Sequence, residues 1–202
     1  MKFSKFISYF FHPINFPIIG TLIYFLFVPK YIYKPQEHTI LLFILVSTYA
    51  LPIILLYFFK RLKFITNYHM PTIEERKFPI LFFMLLTLII ANWLFRTTIV
   101  DLLGVLFLGY AIGFAITYGF LFLKIKLSLH TAAIGGIIGF LIYFSLSYEI
   151  NLIILFIILF IIAGLIATSR IHLKAHSSLE VLLGFIAGFI TQISVFTVYY
   201  IM

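Results

Sequence analysis

The chain contains no cysteine and very few charged residues. Only 10% of its 202 residues are Asp, Glu, Lys or Arg, against about 25% in an ordinary soluble domain. The absence of cysteine excludes a disulfide scaffold, a thiolate metal site and a cysteine nucleophile. Apolar residues make up 64% of the chain, which excludes a disordered chain and a water-soluble domain. A soluble nucleic-acid binder is thereby also excluded, despite the formal net charge of +8.

The apolar residues are concentrated in long runs, each close to the length of about 20 residues that a membrane-spanning helix needs. Such runs must be helical, because lipid cannot satisfy an open backbone. The sequence therefore predicts an all-α, polytopic membrane helix bundle that forms a single domain over residues 1–202. We predict seven spans, the first of them short, at residues 14–29, 39–59, 79–95, 102–123, 129–147, 151–168 and 179–201.

Residues 1–13 begin like a signal peptide, but the aromatic run breaks at His12-Pro13 and no small-residue cleavage site follows. We therefore expect an uncleaved segment that lies at the membrane interface. The last four spans carry the GxxxG pairs and other small residues that let helices pack closely in lipid. We expect these four spans to form the packed core and the first three to lie at its periphery. The small residues are Gly109 and Gly113, Gly135 and Gly139, Ala163, Gly164 and Ala167, and Gly184 and Gly188.

Seven spans place the loops alternately on two faces of the membrane. Face one holds the N-terminus and the loops near 60–78, 124–128 and 169–178, and face two holds the loops near 30–38, 96–101 and 148–150. Face one carries 11 of the 14 Lys and Arg residues, namely Lys2, Lys5, Lys60, Arg61, Lys63, Arg76, Lys77, Lys124, Lys126, Arg170 and Lys174. The positive-inside rule places such a face in the cytoplasm. A site for an anionic substrate on face one would give the same imbalance, so the side of the membrane stays open.

The residues suited to acid–base or phosphate chemistry gather on face one, most clearly in the segment 169–180. His176 and Glu180 are four residues apart at the start of the last helix and therefore share a face. A carboxylate there can hold one ring nitrogen of the histidine and leave the other free as a nucleophile. Arg170, one short loop away, offers a planar guanidinium for a phosphate.

Two further clusters lie at face one. Lys126, Ser128 and His130 open the fifth span, where a helix N-terminus favours an anion and a histidine can carry a proton to a leaving oxygen. Arg76 and Lys77 precede the third span, beside Glu74 and Glu75. We expect the two glutamates to pair with the two cations rather than to bind magnesium, and we predict no metal site and no cofactor.

These three clusters resemble the motifs of the membrane branch of the type 2 phosphatidic acid phosphatase superfamily, K-x6-R-P, P-S-G-H and S-R-x5-H-x3-D. Ser169, Arg170 and His176 fit the third motif, with Glu180 in place of Asp. Ser128 and His130 fit the second, with Leu127 and Leu129 in place of Pro and Gly. The first is represented by His69, six residues, and Arg76-Lys77. The resemblance covers residues 69–185.

The chain also resembles a small branch of that superfamily that is common in Bacteroidetes. The matching residues are His12-Pro13, Met70-Pro71, Glu75-Arg76, Ser128-Leu129-His130 and Ala175-His176. The resemblance implies a metal-independent phosphatase of the bacterial inner membrane that acts on a lipid phosphate or pyrophosphate, above all a polyprenyl carrier of the undecaprenyl type. Recycling of such a carrier favours a face one outside the inner membrane. Phosphatidic acid and phosphatidylglycerophosphate are the alternative substrates.

The same resemblance implies a role for each residue. His176 attacks phosphorus and becomes a phosphohistidine, Glu180 orients it, and His130 protonates the leaving lipid oxygen and then activates water. Arg170, Ser128, Arg76, Lys77 and Lys126 are the expected phosphate-binding residues.

Two rival functions stay open: a lipid flippase or transporter, and a relative that has kept the fold and lost activity. An ion-coupled carrier would need ionisable groups near mid-membrane, and the predicted spans contain almost none. We expect the remaining histidines, His12, His38 and His172, to be ordinary surface residues, and Arg96 and Asp101 to pair with each other on face two.

Overall fold

The computed structural model describes residues 2–66, 70 and 72–201, and this part of the chain is helical without strands. Seven of its helical stretches are long and apolar enough to cross a membrane. The predicted all-α polytopic bundle is therefore confirmed, and the chain is a multi-pass membrane protein. The helices are α1 (Lys2–Phe10), α2 (Phe16–Phe27), α3 (Lys34–Leu45), α4 (Leu51–Arg61), α5 (Ile73–Phe95), α6 (Asp101–Phe122), α7 (Leu129–Tyr148), α8 (Ile153–His172) and α9 (Ser178–Ile201).

The first two spans are each built from two helices, and a proline stands near each break. A short 3₁₀ turn at Pro13–Asn15 separates α1 from α2, and the Nδ1 atom of His12 accepts a hydrogen bond from the backbone N–H of Ile14 at 3.4 Å. A wide π-helical turn at Val46–Ala50 joins α3 to α4 just before Pro52. Proline lacks a backbone N–H and crowds the preceding turn, so the regular hydrogen-bond ladder is interrupted there.

Helix α7 lies at the centre of the bundle and packs most closely against α9. The two helices meet through Gly135 and Gly139 of α7 and Gly184 and Gly188 of α9. A Cβ atom at any of these glycines would collide with a backbone carbonyl of the opposite helix. These two GxxxG pairs therefore act as packing faces, as predicted.

The predicted division into a core of four spans and a periphery of three is wrong for α8. About 61% of the central stretch of α7 is buried, against 22% for α8, which equals the value for each of the first two spans. Gly164 of α8 has open space beside it, so this glycine makes no close helix contact, although the neighbouring Ala163 is buried. Helix α5, expected at the periphery, packs along α6.

Sharp helix ends on face one bring the loop residues close to the starts of the following helices. Helices α6 and α8 are each followed by a lysine in the left-handed region, Lys124 with φ 58° and Lys174 with φ 53°. In both cases the residue after the lysine donates its N–H back to the last turn of the helix, from Ile125 to Phe120 at 3.0 Å and from Ala175 to Arg170 at 3.1 Å. Such ends reverse the chain within a few residues.

On face two, the predicted pair of Arg96 and Asp101 is not formed. The Oδ2 atom of Asp101 instead accepts a hydrogen bond from the hydroxyl of Tyr199 at 2.8 Å, and no ion pair of Arg96 is found within the part of the chain that the structure describes. Because α6 begins beside the end of α9, a tyrosine hydroxyl reaches the carboxylate of Asp101.

Candidate functional site

His176 lies in the short loop between α8 and α9 and is buried, with 7% of its surface exposed. Its Nδ1 atom is 3.0 Å from the backbone carbonyl oxygen of Lys126. Because a carbonyl oxygen only accepts hydrogen bonds, Nδ1 carries the proton of the neutral ring and Nε2 keeps its lone pair. A neutral imidazole in this tautomer can act as a nucleophile through Nε2.

Glu180 lies next to this ring and also caps α9. Its Oε2 atom is 3.4 Å from Nδ1 of His176, so the predicted pairing is present, although the carbonyl of Lys126 makes the shorter contact. The same Oε2 accepts from the N–H of Ser177 at 3.0 Å, and the Oγ atom of Ser177 accepts from the N–H of Glu180 at 3.2 Å. This reciprocal capping box is typical of Glu or Gln at the third helical position, which gives a physical reason for Glu in place of Asp.

The loop before α7 is tied to the same carboxylate. The N–H of Lys126 donates to Oε1 of Glu180 at 3.2 Å, and the N–H of Ser128 donates to the backbone carbonyl of Glu180 at 3.1 Å. The hydroxyl of Thr131 donates to the carbonyl of Val181 at 2.9 Å. The starts of α7 and α9 are thus fixed to each other, which brings the cluster that opens the fifth span together with the cluster in the segment 169–180.

Two guanidinium groups act electrostatically on His176. Burial lowers the pKa of the His176 ring from its ordinary value, and the charges of Arg76 and Arg170 lower it further, whereas Glu180 opposes the shift. A lowered pKa keeps the ring neutral at physiological pH, as a nucleophile requires. The Nε atom of Arg76 donates to the carbonyl of Met70 at 2.9 Å, which holds the side chain at the start of α5.

Arg76 and Arg170 are close enough to repel each other. Both side chains are partly buried, and the Nε atom of Arg170 has no hydrogen-bond partner among the described residues. Two partly buried like charges are costly unless an anion lies between them. The pair is therefore suited to a phosphoryl group, whose oxygens accept from planar guanidinium donors.

His130 lies in the first turn of α7, and its ring is held by the N-terminal helix. Its Nε2 atom is 3.1 Å from the backbone carbonyl oxygen of Ser8 and 3.4 Å from the Oγ atom of Ser8. The Nη1 atom of Arg170 donates to the same Oγ at 2.5 Å. The ring of His12 lies edge-on to that of His130, with 5.4 Å between the ring centroids.

The N-terminal helix contributes to this cluster, because α1 packs against α8 and places Ser8 between His130 and Arg170. Residues 1–13 were predicted to lie at the membrane interface, but the first apolar stretch long enough to cross a membrane runs over Lys2–Phe27. His12 is exposed, as predicted for a surface residue, although its ring contacts that of His130. The available signal was a serine in a helix with apolar and polar faces. Nothing in the sequence says which helix that serine meets.

The other predicted phosphate-binding residues are placed less directly. Ser128 is fully buried, and its Oγ atom accepts from the N–H of Thr131 at 3.5 Å as the N-cap of α7. The side chain of Lys126 is half-buried near Glu180. Phosphate binding by Ser128 and Lys126 stays a prediction.

Lys77 is not brought to the cluster around His176. Its Nζ atom contacts both carboxylate oxygens of Glu74, at 2.8 and 2.9 Å, and lies 5.8 Å from the centre of the Phe122 ring. The predicted pairing of Glu74 is thus confirmed. That of Glu75 is wrong, because its Oε1 atom accepts from the N–H and hydroxyl of Thr66 at 2.8 and 2.6 Å. His69 and Pro71 lie outside the described residues.

An apolar groove with about 570 Å³ of free space, including its open side, lies between α6, α7, α9 and the turn before α2. Its lining includes Pro13 and Leu129, which follow His12 and precede His130 in the chain, and extends to Gln192 of α9. The side chains of the cluster around His176 do not line it. Glycine and alanine residues keep it open, because their side chains fill little space. Its small-residue lining is Gly109, Gly113, Ala132, Ala133, Gly136, Ala187 and Gly188.

No group of three or more metal-binding side chains occurs within the described residues. The comparisons with known proteins found no match: no family model matches the chain, and no curated protein or solved structure is significantly similar to it. The relationship to the phosphatase superfamily and the absence of a metal requirement therefore stay predictions.

Proposed function

We propose that this chain is a membrane phosphatase that hydrolyses lipid phosphates or pyrophosphates through a phosphohistidine, and that it is a divergent member of the type 2 phosphatidic acid phosphatase superfamily. One observation carries the proposal. The ring of His176 is held by a backbone carbonyl through Nδ1, which leaves Nε2 unprotonated, and the positive charges of Arg76 and Arg170 act on the ring and lower its pKa. A nucleophile with two cations next to it is what phosphoryl transfer without a metal requires.

In the proposed reaction, Nε2 of His176 forms a bond to phosphorus while the bond from phosphorus to the leaving lipid oxygen breaks. His130, in its protonated form, gives its proton to that oxygen. His130 then takes a proton from water, whose oxygen attacks phosphorus and breaks the bond to Nε2, so that inorganic phosphate leaves. The guanidinium groups of Arg76 and Arg170 balance the charge on the non-bridging oxygens in both steps.

The apolar groove supports a lipid substrate over a soluble phosphate. Its lining is mostly apolar and includes Leu129, the residue before His130, so a lipid chain lying in it would end near the start of α7. We favour a polyprenyl pyrophosphate of the undecaprenyl type, with phosphatidic acid and phosphatidylglycerophosphate as alternatives. A flippase is disfavoured because the ionisable residues of the cluster lie at the starts of α5, α7 and α9, at the end of α8 and in the loop before α9.

We place the protein in the bacterial inner membrane. If the substrate is a recycled polyprenyl carrier, face one should be directed outward. The excess of Lys and Arg on face one favours the opposite orientation, with face one in the cytoplasm. Arg76, Arg170 and Lys126 are assigned to phosphate in this proposal, which weakens the charge argument. We therefore favour the outward orientation.

The direct test is phosphate release by the purified protein in detergent from an undecaprenyl-type pyrophosphate, phosphatidic acid and phosphatidylglycerophosphate. We expect release that persists in EDTA and is inhibited by vanadate, which resembles the phosphoryl group in transit. His176→Ala serves as the inactive control. No release from any of the three lipids would favour the inactive relative, and loss in EDTA with rescue by magnesium would refute the mechanism.

A further inference from the structure

Ser8 is the point at which the N-terminal helix meets the candidate site. It lies on α1, far outside the motif region 69–185, and is buried with 8% of its surface exposed. Its hydroxyl oxygen accepts a hydrogen bond from Nη1 of Arg170 at 2.5 Å, and its backbone carbonyl oxygen is 3.1 Å from Nε2 of His130. One residue therefore contacts groups on both α7 and α8.

The carbonyl of Ser8 fixes the tautomer of His130. Because a carbonyl only accepts, Nε2 of the neutral ring must carry the proton, and Nδ1 is left as the ring's acceptor. His130 also lies 3.4 Å from the hydroxyl oxygen of Ser8, so both oxygens of this residue face the same ring nitrogen. A fixed tautomer is what a residue needs in order to take a proton from water at a defined atom.

The hydroxyl of Ser8 fixes the position of Arg170. A long guanidinium side chain otherwise loses rotamer freedom when it binds an anion, and a hydrogen bond made beforehand reduces that loss. Nη1 is engaged by Ser8, whereas the buried Nε has no partner among the described residues. The guanidinium is therefore held in place and keeps one unsatisfied donor.

We propose that Ser8 is a positioning residue of the phosphate site, which orients Arg170 through its hydroxyl and His130 through its backbone carbonyl. The proposal rests on the proposed function for the identity of the anion. It assigns the N-terminal helix to the site rather than to membrane anchoring alone.

The test compares Ser8→Ala, Ser8→Thr and the matched control Ser4→Ala in the full-length protein. Ser4 lies one turn earlier on the same helix, and no hydrogen bond of its side chain is found among the described residues. Two quantities are measured for each protein: the dissociation constant of vanadate, which needs no turnover, and kcat and KM for a lipid pyrophosphate.

We expect Ser8→Ala to weaken vanadate binding and to raise KM by about tenfold, because a hydrogen bond to a charged group is lost. Ser8→Thr keeps the hydroxyl and should restore binding to within about threefold of the wild type, by the same argument. Ser4→Ala should match the wild type. If Ser8 served only for packing, Ser8→Thr would not restore vanadate binding, because the larger Thr fits a crowded position no better than Ala does.

Unchanged vanadate binding in Ser8→Ala would overturn the proposal, as would a failure of Ser8→Thr to restore it. Tighter vanadate binding in Ser8→Ala would also overturn the proposal, because it would mean that α1 obstructs the site rather than ordering it. If the wild type binds vanadate but does not turn over, the proposed phosphatase activity is refuted. The vanadate dissociation constants of the Ser8 variants then still test the role of Ser8. Turnover that is insensitive to Ser8→Ala would refute only the role of Ser8, and a wild type that neither binds vanadate nor turns over would refute both.

Discussion

The two histidines of the site are held in the same way, but by different parts of the chain. His176 contacts the carbonyl of Lys126 through Nδ1, and His130 contacts the carbonyl of Ser8 through Nε2. The opposite nitrogen is therefore the acceptor in each ring. Because the rings differ in the nitrogen that stays free, we infer that they have different tasks, with His176 as the nucleophile and His130 as the proton carrier.

The surroundings of the two rings differ as well. The charged side chains that act on the pKa of His176 are those of Arg76, Arg170 and Glu180, which come from two of the sequence clusters. His130 is covered by the N-terminal helix, with Ser8 at its Nε2 atom and His12 beside its ring. A charged environment stabilises a phosphohistidine and its transition state, whereas a covered ring can transfer a proton without competition from bulk water.

The largest expected effect separates His176 from an ordinary histidine of the same region. His176→Ala should lower turnover of every lipid substrate by more than about 10³-fold, because no covalent intermediate can form. His172→Ala is the matched control, since His172 is exposed at the end of α8, and it should stay within about twofold of the wild type. Phosphate release measures both. Residual turnover in His176→Ala would assign the nucleophile to another group.

The next effect sharpens the difference between the two rings. His130→Ala should slow hydrolysis of a lipid monophosphate by about 10²–10⁴-fold, the usual contribution of general acid catalysis. A pyrophosphate expels a phosphate ester, which is a far better leaving group than an alkoxide, so its hydrolysis should slow much less. Matched mono- and diphosphates of one chain length are compared. Equal losses for both substrates would remove the acid role of His130.

The charges around His176 should move the acid limb of the pH profile in opposite directions. Arg76 lowers the pKa of His176 and Glu180 raises it. Arg76→Gln should therefore shift the acid limb of kcat/KM to higher pH, and Glu180→Gln should shift it to lower pH, because the ring must be neutral to attack. The Gln variant keeps a residue suited to the capping box. Shifts of the same sign in both variants would contradict the assigned environment.

The smallest expected effect concerns the packing between α7 and α9. A Cβ atom at Gly184 would collide with the backbone of Ser128 and the hydroxyl of Thr131, whereas Gly164 has open space beside it. Gly184→Ala should therefore destabilise the protein by about 1–3 kcal/mol, and Gly164→Ala by less than about 0.5 kcal/mol. Thermal unfolding in detergent compares them. Equal stabilities would mean that α7 and α9 do not meet at Gly184.

Much of the fold could be predicted because lipid leaves the chain few choices. Long apolar runs had to form helices, and the spacing of Gly135, Gly139, Gly184 and Gly188 indicated close packing before any contact was known. The error about α8 has a physical cause. Small residues permit close packing but do not require it, and in lipid an apolar helix can equally face the bilayer.

The site was predictable where its residues are close in sequence or lie at neighbouring helix ends. His176 and Glu180 share a turn, and Arg170 and Lys126 follow from the order of the spans. The roles of Ser8 and the carbonyl of Lys126 were not predictable. Backbone carbonyls carry no sequence signal, and the contact between α1 and α7 joins residues 122 positions apart.

The central claim is tested most directly by trapping the phosphorylated histidine. A lipid pyrophosphate labelled in its terminal phosphate is mixed with the wild type, His130→Ala and His176→Ala, and the reaction is stopped with base, in which phosphohistidine survives. Peptides are then identified by mass spectrometry. We predict label on His176 in the wild type, more label in His130→Ala because water activation is slowed, and none in His176→Ala. Label on any other residue, or turnover by the wild type without label on His176, would contradict the account.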